Sequence, residues 1–239
     1  MPASPPEPET PAIGLRPQAA LFDLDGTLVD NTGFHARAFR SFRETHGLPP
    51  EGAGARARFG GRRNSEIFAE LFGRPLASDE LRRYEEEKES LYRELSRGGL
   101  VAVPGLPELL DRLEALGVPC ALATSAPEAN VDHSLEELGL VGRFPCVVLG
   151  DEVAWGKPHP DVFLEAARRL GADPSGCLAF EDAPMGVAAV QAAGARCVAL
   201  ATTLSRAELL ALEPPPDLVV EDYRELLGSF AGLLGLVAP

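Results

Sequence analysis

The sequence predicts an α/β protein: a doubly wound parallel sheet, interrupted near its start by an all-helical insert. Three observations carry this reading. From Val101 onward, helical and strand patterns alternate strictly, as in a parallel sheet covered on both faces. The strand candidates are continuous apolar runs without polar alternation, which fits burial on both sides. Between residues 32 and 100 only helical periodicity is found. The 239 residues thus divide into a Pro-rich tail over 1–18, a core made of 19–31 and 101–239, and a helical insert over 32–100. The tail has five prolines before position 12. It shows no basic region followed by an apolar one, so it reads as disordered rather than as a signal peptide.

The elements follow in order. Ala19–Phe22 is an apolar strand that runs straight into Asp23-Leu24-Asp25-Gly26-Thr27-Leu28-Val29-Asp30. Acids at a buried strand end are costly unless paired or bound to a metal, yet that is where open α/β sheets bind ligands. Asn31 or Thr32 then caps a helix to about Thr45, with Phe34, Ala38, Phe39 and Phe42 on one face. Gly47-Leu48-Pro49-Pro50 stops it. A Gly- and Arg-rich connection over 51–63 leads to a helix capped by Asn64 or Ser65 and ending at Phe72. Ser78-Asp79 opens a long charged helix that closes near Gly98-Gly99. In the core, helices are expected over 106–116, 128–138, 160–170 and 184–193. Strands are expected over 118–123, 146–149, 177–180, 197–201 and 218–220. The closing run 226–237 is uncharged but short and broken by glycines, and it reads as a helix docked on the core rather than a membrane anchor.

Composition narrows the function classes. Hydrophobic content is 45% and the net charge −14, which argues against a nucleic-acid partner. No run of about 18 apolar residues is present to span a membrane. Cys120, Cys146, Cys177 and Cys197 each lie in a strand run, with no CxxC pair and no histidine at ligand spacing. They read as buried, reduced thiols of a cytoplasmic protein, with neither a zinc site nor a disulfide framework. Nothing demands more than a monomer.

In a parallel sheet all strand ends lie at one edge, and there the polar residues converge. The first strand gives Asp23 and Asp25, the second Thr124 and Ser125, the third Gly156-Lys157-Pro158, and the fourth Glu181 and Asp182. Clustered acids suit Mg²⁺, a hard cation that prefers oxygen ligands. Thr124 and nearby amides suit phosphate oxygens, and Lys157 would offset the gathered charge. Lys88 and Lys157 are the only lysines among 22 basic residues. A chain so rich in arginine keeps lysine where a compact ammonium is needed, which points to Lys157; Lys88, within Glu85-Glu86-Glu87-Lys88-Glu89, reads equally as part of a solvated helix face. The insert has 13 basic residues against 11 acidic ones, leaving −16 on the remainder. Arg56, Arg58, Arg62 and Arg63 are therefore expected to form a basic lid that supplies a local field for an anionic substrate.

The motifs DLDGTLVD, ATS, GKPHPD and FEDAPMG resemble the four signatures of the haloacid dehalogenase-like superfamily, in order and over nearly all of the chain beyond residue 18. The resemblance implies a Rossmann-like core with a helical-bundle cap. It implies Asp23 as a nucleophile that forms an aspartyl-phosphate and Asp25 as the general acid/base. It implies that Thr124, Ser125 and Ala126 bind phosphate, that Lys157 orients the reacting groups, and that Mg²⁺ sits on Asp23, Asp182 and the Asp25 carbonyl. Glu181 would act on that site through water. His35, Arg63 and Lys88 resemble cap positions of β-phosphoglucomutase-like members. Three readings stand: a Mg²⁺-dependent phosphatase of a sugar or polyol phosphate, a β-phosphoglucomutase-like mutase, and a catalytically silent binding protein on the same fold. Thr27 and the Ala201-Thr202-Thr203 run favour the first, His35 with Arg63 and Lys88 the second, and the intact acids argue against the third.

Overall fold

The structure, a computed structural model, describes residues 16–50, 52, 58–232 and 236. Six parallel strands form one sheet in the order β3-β2-β1-β4-β5-β6. They are β1 (Ala19–Phe22), β2 (Cys120–Thr124), β3 (Cys146–Leu149), β4 (Cys177–Glu181), β5 (Arg196–Leu200) and β6 (Leu218–Val220). Phe22 lies opposite Leu122 on one side and Phe180 on the other. Successive side chains of β1 point to opposite faces. Ala20 and Phe22 enter one core with Leu122, Phe180 and Tyr223, while Ala19 and Leu21 enter a second with Ala121, Phe163 and Val187. Burial on both faces is why these strands read as unbroken apolar runs. The chain winds away from β1 in both directions, so the crevice of the sheet opens where β1 ends.

The insert contributes α1 (Thr32–Thr45), α2 (Asn64–Phe72) and α3 (Ser78–Ser96). They share a separate core of Phe39, Phe42, Ile67, Phe68 and Tyr84. Phe42 sits at its centre, its ring 5.1 Å from Phe68 and 5.6 Å from Tyr84. The expected caps differ from those found. Arg63 and Ala77 precede α2 and α3, and neither caps through its side chain. Asn64 instead donates to Glu89 at 2.7 Å. Two segments join insert to core side by side: Asp30 N–H donates to Val101 O and Val103 N–H to Leu28 O, flanking a bridge between Val29 and Ala102.

The core helices are α4 (Leu106–Ala115), α5 (Glu128–Glu137), α6 (Asp161–Leu170), α7 (Pro184–Ala193), α8 (Arg206–Leu210) and α9 (Tyr223–Glu225). Each expected core element is present, with ends shifted by up to two residues. Helix α8 was not anticipated. The closing run is only partly helical: α9 passes into a wide turn over Leu226–Phe230, and Leu226 and Leu236 are buried in the core. All four cysteines are free, and burial pushes the Cys120 thiol up to about 12. No described helix is long and apolar enough to cross a membrane.

Candidate active site

Beyond β1 the backbone turns sharply around Leu24, whose carbonyl accepts the N–H groups of Thr27, Leu28 and Val29. Gly26 makes the turn with φ 78°, a conformation that glycine adopts without a Cβ penalty. There is also no space for a side chain: a Cβ here would lie 2.1 Å from Asp182 Oδ2. This turn delivers Asp23 beside the residues at the end of β4. Lys157, from the loop after β3, is fully buried and donates to Asp23 Oδ1 at 2.6 Å and to Glu181 Oε1 at 2.7 Å. Glu181 Oε2 accepts the amides of Asp182 and Ala183, and Asp182 Oδ1 accepts from Thr27 Oγ1.

Asp23, Glu181 and Asp182 each offer a carboxylate oxygen within 4.8 Å of the others. Three buried acids share one ammonium. Burial pushes Asp23 up to about 7, against the pull of Lys157 and with a further push from Glu181. Burial, then Glu181 and Asp23, hold Asp182 well above the usual carboxylate range. A site with this excess of oxygen ligands and negative charge fits a hard divalent cation.

Asp25 is oriented differently. It accepts from Asn31 Nδ2 at 2.6 Å and lies 3.6 Å from His35 Nε2. Lys88 Nζ donates to His35 Nδ1 at 2.9 Å, which places the ring proton on Nε2, facing Asp25. Burial alone would raise Asp25, but His35, Asn31 and Lys88 carry it below the ordinary carboxylate value. His35 is held by stacking on Tyr92, ring centres 3.8 Å apart. Lys88 also pairs with Glu89, which accepts from Asn64 and Asn130. The two acids of the motif thus meet two surroundings, one at the sheet edge and one reaching into the insert.

Between these surroundings lies a cavity of about 140 Å³. Asp23, Asp25, Asp182, Thr124, Ser125 and Ala126 line it from the core, and His35, Phe39, Ile67 and Lys88 from the insert. Lys157 and Glu181 sit behind Asp23. Thr124 Oγ1 accepts the Ala126 amide, which leaves its hydroxyl proton to donate. Ser125 Oγ donates to Gly61 O at 2.7 Å, so its hydroxyl ties core to insert. Arg63 is not on the cavity wall. It donates to Val153 O and Ala154 O and packs against Gly156.

The expected basic lid is present only in part: Arg62 lines the cavity, but the stretch's charge is largely paired. Arg58 and Arg62 are ion-paired with Glu70, and Arg62 also with Glu66; Arg56 lies outside the described residues. Much of that charge is therefore paired within the insert, and among the described residues Lys157 contacts Asp23 and Glu181 while Lys88 acts on Asp25 from across the cavity. Asn31, Tyr92, Glu89, Asn130 and Thr203 belong to the site surroundings without having been singled out individually. Asn31 carried a visible signal, following the DGTLVD motif directly, but it read as a helix cap.

Residues 17–194 match the family described as haloacid dehalogenase-like hydrolase. Protein CbbY of Rhodobacter capsulatus is 34% identical over 202 residues, which is 80% of this chain and 88% of that protein. Hexitol phosphatase A of Escherichia coli (strain K12) is 34% identical over 199 residues, 78% of this chain and 84% of that one. Among solved structures, β-phosphoglucomutase (pgmB) of Clostridium difficile superposes with a TM-score of 0.76 at 25% identity, covering 87% of this chain and 92% of its own.

Proposed function

The chain belongs to the haloacid dehalogenase-like hydrolase family, and from that premise we propose that it is a phosphatase: a Mg²⁺-dependent phosphomonoesterase that hydrolyses a small phosphorylated sugar or polyol through an aspartyl-phosphate on Asp23. The observation that carries this reading is the separation of the two acids. Asp23 is buried against Lys157 and the acids of β4, while Asp25 is held by Asn31 and faces His35. One is placed to attack, the other to move protons.

Lys157 occupies Asp23 Oδ1, which leaves Oδ2 for attack on phosphorus. Thr124 donates to a phosphate oxygen, and Lys157 offsets charge behind the nucleophile. Asp23, Asp182 and the Asp25 carbonyl would hold Mg²⁺, whose contribution when bound is to neutralise the repulsion between carboxylate and phosphate dianion. As the Asp23–phosphorus bond forms, the bond to the alcohol oxygen breaks and Asp25 protonates that oxygen. Asp25 is ionised before substrate arrives. The incoming dianion raises its proton affinity, so Asp25 takes a proton from solvent as substrate binds, and His35 Nε2–H, facing the carboxylate, orients it without giving up its own proton. Water then attacks phosphorus, gives its proton to Asp25, and frees both phosphate and the Asp23 carboxylate.

The similarity to hexitol phosphatase A supports the sugar or polyol assignment. The His35–Lys88 contact beside Asp25, together with the likeness to a β-phosphoglucomutase, supports mutase action as a second reading. The protein acts as a cytoplasmic monomer on a small molecule, with no nucleic-acid or membrane partner. The test is phosphate release from a panel of sugar phosphates, polyol phosphates and phosphoglycolate, with and without Mg²⁺. Release that needs Mg²⁺ and vanishes in a folded Asp23→Asn variant is expected; retained turnover in that variant would sink the nucleophile assignment. In a second arm, catalytic α-d-glucose 1,6-bisphosphate is added to β-glucose 1-phosphate. Glucose 6-phosphate as product establishes the mutase, and free phosphate alone refutes it.

A further inference from the structure

The Ala201-Thr202-Thr203 loop follows β5 at the same sheet edge as Asp23 and Asp182. Thr202 Oγ1 donates to Gly26 O, which fastens the loop to the turn behind the nucleophile. The next residue has no such anchor. Thr203 Oγ1 is buried and makes no hydrogen bond of ordinary geometry among the described residues, though it lies near enough to Asp182 to favour that acid's ionised form, and Thr203 lines the cavity that contains Asp23 and Asp182. A Cβ on Gly26 would lie 2.1 Å from Asp182 Oδ2 and 3.0 Å from Thr203 Oγ1. The hydroxyl and that carboxylate oxygen are therefore neighbours across the α-carbon of Gly26.

A buried hydroxyl without a partner is costly, and native structures rarely keep one without a reason. The surrounding acceptors supply the reason. Glu181 has Lys157 on Oε1 and two amides on Oε2, and Asp182 Oδ1 already accepts from Thr27. Mg²⁺ keeps several of its waters when it binds protein carboxylates, and those waters are donors that need acceptors at the wall. A threonine hydroxyl can donate and accept at once.

We propose that Thr203 is an outer-sphere positioning residue of the cation site, its hydroxyl accepting a hydrogen bond from the hydration water of Mg²⁺ while donating to Asp182. The proposal rests on the reading of Asp23 and Asp182 as cation ligands. It assigns the loop after β5 a part in metal affinity that the four motifs leave out. Threonine's methyl group packs the wall, and its oxygen is the functional atom.

Calorimetric titration of metal-stripped protein with Mg²⁺, without substrate, tests this on wild type, Thr203→Val, Thr203→Ser and Asp182→Ala. Valine keeps the shape and removes the hydroxyl; it should weaken Mg²⁺ binding about 10-fold, as loss of an outer-shell partner does. Serine should bind as wild type does, and the melting temperature in EDTA should be the same for wild type and both Thr203 variants. Valine binding Mg²⁺ as tightly as wild type, while Asp182→Ala loses it, overturns the Thr203 role and leaves the metal reading standing. Serine weakened as much as valine also overturns it, because the methyl packing would then be the cause. Wild type failing to bind Mg²⁺ removes both.

Discussion

Lys157 makes both of its strong contacts with carboxylates while fully buried, so replacing it with methionine strips the acids of their cation. Loss of one partner from a buried ion pair costs about 3–5 kcal/mol, and Lys157→Met should show that loss in a urea melt together with loss of phosphate release. Arginine at this position should not restore activity, since a planar fork does not fit where an ammonium sits 2.6 Å from Asp23 and 2.7 Å from Glu181. Lys157 was legible because lysine is so rare in this chain; Lys88 shares that rarity but read equally as part of a solvated helix face, and both lie in the site surroundings. Asn31 was not legible. Its amide reaches Asp25 and also the Tyr92 hydroxyl, and that second partner is 61 residues away on another helix. A hydrogen bond to the ionised carboxylate favours ionisation, so Asn31→Ala should raise the pKa of Asp25. The measurement is the pH dependence of kcat/KM, whose limb from Asp25 should move to higher pH.

At the scale of elements, α3 lies along α5 through a ladder of polar contacts. Glu89 and Arg93 both engage Asn130, Ser96 meets His133, and the Gly98 amide donates to Glu137. Glu89 is the buried member of the ladder. Burial would raise its pKa, but Lys88, His35, Asn64 and Asn130 hold it below the usual carboxylate value. Glu89→Ala leaves an ammonium and two amides unpaired and should cost about 3–5 kcal/mol by urea melt. The strands were readable because two-sided burial demands continuous apolar runs, and one local pattern is enough to find them. Helix starts were harder. Asn64 looks like a cap yet spends its side chain on Glu89. Helix α8 does have a reciprocal capping box between Ser205 and Glu208, a signal present in the sequence that its five residues made easy to pass over. The arginines of the 58–63 stretch were read by their charge alone, but acids on the following helix pair with two of them, Arg58 and Arg62, even though Arg62 also reaches the cavity wall.

For the molecule as a whole, the crowded acids make stability depend on pH and metal together. The folded chain keeps a proton on Asp23 up to about pH 7, while the same group unfolded releases it near 3.8. Across that window the folded form binds more protons, so stability falls as pH rises through it; Asp182, also raised, adds the same sign. In EDTA the melting temperature should therefore be higher near pH 5 than near pH 8. Added Mg²⁺ should raise it more at pH 8, where the acids stand ready as ligands, and scanning calorimetry at both pH values with and without the cation checks this. A last consequence concerns descent rather than stability. The helical insert leaves the core at Leu28–Asp30 and returns at Val101–Val103, and those two segments are already hydrogen-bonded to each other. Closing a gap between ends that touch takes little chain entropy. The whole insert is thus a cassette whose removal or exchange would leave β1 and Asp23 where they are, and a lineage carrying this junction could keep one core while trading what is built on it.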